Sequence, residues 1–345
     1  MAKKRQQIAI PLPGVRKDKA GSWEHATGRV WFLEKDLFGR PGLDRLYAAE
    51  TVDDVRRLLL EHRYPQKDTV DGMVMDESCR LYELLEEVTP DDGYHQVLLL
   101  PNDAHNLKTS LKATYLADPP AEDAFKSWLL RPSLIPADTL WWAVVRSEKE
   151  KGLPAWGQAI VSRAKEAYLA AYDAASIDRS VDRDIHALIA KIAAGFEDTW
   201  LAGYFDRVRD LTNLGTLLRV RARAMEYPVY ADSLLPNGII RRETWLSFFD
   251  APVEAIREGL EKTPYQPLSG QLIAYGEGGA STFSLDGDRL LFGYLEAGSR
   301  TLSGPPRVIA YIMARECEFK NVRIVMAALT DGLSREAVGP LRRDF

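Results

Sequence analysis

The sequence predicts an all-α protein in which one helical unit is used three times. Three observations point to it: a short motif that recurs at an even interval, apolar residues at helical spacing elsewhere, and a scarcity of strand-like alternation. Only five asparagines occur in 345 residues, and three head the same pattern, with an acid three residues before and apolar residues one and five after. The copies are Asp103–Asn106–Leu107 with Leu111, Asp210–Asn213–Leu214 with Leu218, and Glu318–Asn321–Val322 with Met326. Their asparagines stand 107 and 108 residues apart, the signature of a duplicated unit. Within each copy the apolar pair is spaced i, i+4, with Leu217 and Val325 adding i+3 in the last two, which marks one helix face.

Other segments read the same way. Thr51-Val52-Asp53-Asp54 has the form of a capping box opening a helix through Val55, Leu58, Leu59 and His62. Ile185, Leu188, Ile189, Ile192 and Phe196 follow a helical stripe, and Pro305-Pro306 suits the first turn of a last long helix. Proline and glycine clusters mark loops at 90–93, 119–120, 132–136, 236–238, 276–279 and 304–306. Domain boundaries are expected at 119 and 235, giving a basic tail over 1–22 and helical repeats over 23–119, 120–235 and 236–345. Thr51 through Tyr64 also resembles Pro252 through Tyr265; the middle repeat lacks a clear counterpart, its equivalent either diverged or covered by the segment around Trp141 and Trp142.

Bulk properties narrow the function. Apolar residues at 46% and charged residues at 28% suit a globular chain, and no apolar run approaches the roughly 20 residues that span a bilayer. Lys3, Lys4 and Arg5 precede a short apolar run, but Pro11 and Pro13 interrupt it and no cleavage site follows, so a cytoplasmic location is expected. A net charge of -5 argues against a dedicated nucleic-acid binder. Cys79 and Cys317 lack paired spacing and are expected as two buried, reduced thiols.

Chemistry-bearing motifs are sparse. His25, His62, His95, His105 and His186 are scattered, with none three or four residues from another, so no helical metal site is expected. Gly276 to Thr282 invites a phosphate-loop reading but lacks the Lys-Ser/Thr of a Walker motif; an interhelical turn is preferred. Asp53-Asp54 and Asp91-Asp92 fit helix starts and turns better than a tuned acid/base pair. Arg207, Arg209, Arg219, Arg221 and Arg223 form the densest basic region, read as a solvated or salt-bridged face, with an acidic protein partner as the other possibility. The acid–Asn pairs are expected to be structural, capping or bridging a neighbouring helix. No catalytic, cofactor-binding or metal residue is assigned, and no cofactor is expected.

The segments Leu98–Tyr115, Asp210–Ala222 and Gly304–Leu333 look like the three landmark helices of the C (also called d) subunit family of V-type and A-type rotary ATPases, in the same order and at similar spacing. Gly28–Tyr64 and Thr263-Pro264-Tyr265 match its helix pattern, and the resemblance runs from about residue 23 to the end. It implies three similar helical domains in pseudo-threefold arrangement forming a funnel or socket. It further implies a non-catalytic rotor component on the cytoplasmic face of the membrane ring of proteolipid subunits, receiving stalk subunits D and F. ATP-driven or ATP-producing transport of protons or sodium ions would be the function of the whole complex. A helical scaffold with unrelated partners is the alternative. The basic tail (Lys3, Lys4, Arg5, Arg16, Lys17, Lys19) does not map onto the family, and proximity to anionic headgroups is its expected role.

Overall fold

A computed structural model describes residues 10–14, 16, 21–148, 152–236, 238–275 and 279–344. The fold is all-α, with no strand among the described residues. In chain order the helices are α1 (Trp23–Leu33), α2 (Gly39–Tyr47), α3 (Val52–Glu61), α4 (Val70–Val88), α5 (Asp92–Thr114), α6 (Glu122–Ser127), α7 (Ala137–Leu140), α8 (Ala155–Ala171), α9 (Ala174–Ala193), α10 (Trp200–Ala222), α11 (Tyr227–Ser233), α12 (Arg242–Ser247), α13 (Val253–Glu261), α14 (Gln271–Ala274), α15 (Ala280–Ser299), α16 (Pro305–Asp331) and α17 (Arg335–Val338). A π-helical turn over Trp141–Val145 extends α7.

The chain divides into two compact units. The first takes Asp91–Glu197, Ala231–Pro236 and the described residues up to Arg16; the second takes residues 21–90, Asp198–Tyr230 and the described residues from Gly238 onward. Each draws on more than one of the sequential ranges expected above.

In the first unit α9 packs against both α5 and α8. Apolar side chains at helical spacing supply the seam: Leu107 and Leu111 of α5, Ile185 and Ile189 of α9, and Ile160 and Ala164 of α8 are all buried. Lys108 reaches Asp182 at 2.7 Å and Lys112 reaches Asp178 at 2.6 Å, two rungs that run in opposite senses and fix α5 and α9 as antiparallel. The stripe expected to run to Phe196 ends at Ala193; Phe196 lies beyond the helix and stacks on Tyr94 at 4.0 Å. Helix α5 continues through Pro101, where proline alone would have predicted a break.

In the second unit α16 is the hub, packed by α15, α1, α4, α10 and α2. Buried residues, polar ones among them, fall on every side of it, with Val308, Ile309, Ala310, Ile312, Phe319 and Val322 at 0% exposure, which is why it shows no single hydrophobic face. Pro305 and Pro306 occupy its first turn, Gly304 precedes it at φ +107, and Gly332 ends it in the left-handed region at φ +64. Met326, expected on the apolar face, is half-buried, and Val325 takes the core position. Thr51 and Asp54 form the expected capping box on α3.

Candidate functional site

All three motifs sit near the middle of a long helix, of 23, 23 and 27 residues. Their polar residues are removed from water: Asp103, Asp210, Asn213 and Asn321 at 0%, Asn106 at 1% and Glu318 at 6% exposure. Burial of such groups is tolerable only with full hydrogen bonding, so their partners define what the motif does.

In the first motif the Asp103 carboxylate accepts the backbone N–H of Leu134 and of Ile135, both at 2.9 Å, just ahead of α7. Asn106 accepts the Leu130 N–H at 2.7 Å and donates to the Leu130 carbonyl at 3.0 Å. In the second, Asp210 accepts N–H from Ile239 at 2.8 Å and Ile240 at 3.1 Å just ahead of α12, together with Trp245 Nε1 at 3.3 Å and the Tyr265 hydroxyl at 2.8 Å. In the third, Glu318 accepts the N–H of Phe38, the residue preceding α2, and Arg315 Nη1 at 2.6 Å. Asn321 pairs with the Arg343 backbone in both directions, at 2.8 and 2.9 Å, and accepts from the Tyr47 hydroxyl at 2.8 Å.

The arrangement is a clamp. Each acid gathers donors at the start of a short helix, where backbone N–H groups are free and the helix dipole favours negative charge. Two of the asparagines mimic a backbone strand toward an extended segment. The backbone partners lie mainly in loop segments, and the side chains of Trp245, Tyr265, Arg315 and Tyr47 join them. Burial pushes the Asp103 and Glu318 carboxyls up to about 7, opposed by their N–H donors and, for Glu318, first by Arg315; Asp210 is raised for the same reason.

The remaining candidates are dispersed. His62 bonds the Asp36 carbonyl at 3.1 Å and His105 the Trp128 carbonyl at 3.2 Å. Among the described residues no group of three or more His, Cys, Asp or Glu side chains could hold a metal ion. Asp91 caps α5 by accepting from Gly93 at 2.6 Å, and Asp92 pairs with Arg16 at 2.8 Å. Gly276–Gly278 lies outside the described residues, as do the tail's basic residues apart from Arg16; Gly279 caps α15. Cys317 is buried and Cys79 only half-buried, so the expectation of two buried thiols holds for one.

The arginine cluster does not form one basic face. Arg209 is buried and paired with Asp206, while Arg221 donates to the carbonyls of Phe248, Phe249 and Ala251, closing the end of α12. Sequence reasoning missed Arg315 and Glu77 at the third clamp. Arg315 stands three residues before Glu318, one helical turn away, and that spacing was the available signal.

No curated protein matches this chain. The family model described as ATP synthase (C/AC39) subunit matches residues 26–340, which takes in α2 through α17 and all three acid–Asn pairs. With the match spanning nearly the whole chain, this protein belongs to the ATP synthase C/AC39 subunit family.

Proposed function

We propose that the chain is the non-catalytic coupling element of the central rotor in a V/A-type ATPase. It would sit on the ring of proteolipid subunits at the cytoplasmic face and receive the foot of stalk subunits D and F. In this reading it serves ATP-driven or ATP-producing transport of protons or sodium ions without performing chemistry itself. The proposal includes the three sequential domains, 23–119, 120–235 and 236–345, in pseudo-threefold arrangement as a socket.

The observation that supports it is the threefold use of one buried clamp. Asp103, Asp210 and Glu318 each engage backbone donors at the centre of a long helix. Carboxylates held in this way act as fasteners. Tightly packed helices pinned at their middles resist deformation, which is what a part carrying torque requires. No helix among the described residues is long and apolar enough to cross a membrane, so attachment would run through the ring.

The test is affinity isolation of the tagged full chain from gently solubilised membranes of its host. Recovery of D and F in amounts near equal to the chain, together with several proteolipid subunits per chain, is expected. Recovery of the chain with other proteins and no ATPase component would overturn the reading in favour of a scaffold.

A further inference from the structure

The third clamp is assembled differently from the other two. In the first, Leu130, Leu134 and Ile135 belong to one stretch that follows α5; in the second, Ile239 and Ile240 likewise follow α10. In the third, Asn321 holds Arg343 while Glu318 holds Phe38, so the clamped arm comes from two segments far apart in sequence. Phe38, Val55 and Tyr64 stand 201 residues before Ile239, Ile256 and Tyr265 and fill the same places. Phe38 and Ile239 give an N–H to the motif acid, and Val55 and Ile256 are buried helix residues at 0% exposure. Residues 34–64 are therefore the arm of the third clamp, joined to α4 through the exposed positions 66–69.

At the two tyrosines the chemistry diverges. Tyr265 donates its hydroxyl to Asp210. The Tyr64 hydroxyl is buried without a hydrogen-bond partner, and the Arg315 guanidinium lies 4.6 Å from its ring centroid. Arg315 reaches Glu318 with one nitrogen and Glu77 of α4 with the other, both at 2.6 Å. Among the described residues it is the cation paired with both carboxylates. The other titratable groups around the cluster are Tyr311 on α16, Asp36, which Arg63 engages at 3.3 Å, and His62 on the Asp36 carbonyl. With both glutamates ionised the triad carries one uncompensated negative charge where water is excluded, and uptake of a proton relieves it.

We propose that the Glu77–Arg315–Glu318 cluster is a pH-responsive lock that holds residues 34–64 on α16, tightening when it takes up a proton and loosening when it loses one. Such a lock does not depend on the rotor reading. Burial already pushes the Glu318 carboxyl up to about 7 against the pull of Arg315. A carboxyl raised in the closed state binds its proton more firmly closed than open, so closure is favoured at acidic pH and weakens as pH rises through about 7.

The test uses the full chain with a protease site inserted after Gln66, cut after folding, with the two fragments followed as a pair by size exclusion. The pair is expected to survive cutting at pH 6 and to separate about tenfold faster at pH 8.5, as one pKa unit of coupling gives. Glu318→Gln is expected to abolish that difference. Glu77→Gln, which relieves the same excess charge, is expected to flatten it as well and serves if the first variant fails to fold. A wild-type difference under about threefold, a pair that separates at once at pH 6, or a folded Gln variant that keeps the full difference would overturn the lock.

Discussion

Asn106 pairs with the peptide of Leu130 as a neighbouring strand would, accepting its N–H at 2.7 Å and donating to its carbonyl at 3.0 Å. Replacing Asn106 with alanine leaves both backbone groups without this partner in a buried place. A loss of about 2–4 kcal/mol in urea unfolding is expected, since each orphaned buried group costs about 1–3 kcal/mol. Asn102, half-buried with a single bond to the Pro132 carbonyl, is the comparison, and Asn102→Ala should lose about 1 kcal/mol.

The second clamp makes a different forecast. Asp210 collects four donors, and the Tyr265 hydroxyl among them is buried with it. Tyr265→Phe keeps the ring and removes one bond to a carboxylate, so unfolding free energy should fall by about 1.5–3 kcal/mol. Asp210→Asn replaces one of the two accepting oxygens by an amide donor facing other donors and should cost more than Tyr265→Phe in the same denaturation assay.

Gly238 lies against this clamp closely enough that a Cβ would stand 2.5 Å from the Asp210 carboxylate and 2.6 Å from the Asp206 carbonyl. Gly238→Ala should therefore destabilise by about 1–3 kcal/mol through overpacking. Gly28, exposed in α1 with nothing within 4 Å of its Cβ position, should do the reverse. Gly28→Ala is expected to raise stability by about 0.5–1 kcal/mol, read as a shift in thermal midpoint.

Acid should stabilise the first clamp. Burial raises the Asp103 carboxyl from 3.8 to about 7, against the opposing pull of the Leu134 and Ile135 N–H groups. A carboxyl raised in the folded state contributes stability that is complete below about 4 and is lost as pH rises through about 7. Unfolding free energy measured from pH 5 to 8 should decline, and Asp103→Asn should flatten that part of the slope while lowering stability at pH 5.

The helices and the placement of the three motifs were legible because both rest on local periodicity: Leu107 with Leu111, and Leu214 with Leu217 and Leu218, mark one face whatever the surroundings. The capping box at Thr51 was legible for the same reason. What each motif holds was not, because the backbone partners lie 22 to 280 residues away, and a backbone N–H has no sequence signature. The similarity of Thr51–Tyr64 to Pro252–Tyr265 was visible as repetition, yet its sense was hidden. The first of these segments brings Tyr64 against Arg315 at the third clamp and the second brings Tyr265 to Asp210, so neighbours in the repeat are not neighbours in the chain. The course of α5 through Pro101 was legible only from the family resemblance over Leu98–Tyr115, since packing on α9 outweighs a local propensity.

The most direct measurement is ATP-driven ion transport by the ATPase complex reconstituted in vesicles with and without this chain, alongside ATP hydrolysis. Omitting the chain should abolish transport while the soluble catalytic part still hydrolyses ATP, and the purified chain alone should hydrolyse none. Transport that persists at full rate without the chain, or ATP hydrolysis by the chain alone, would contradict the account.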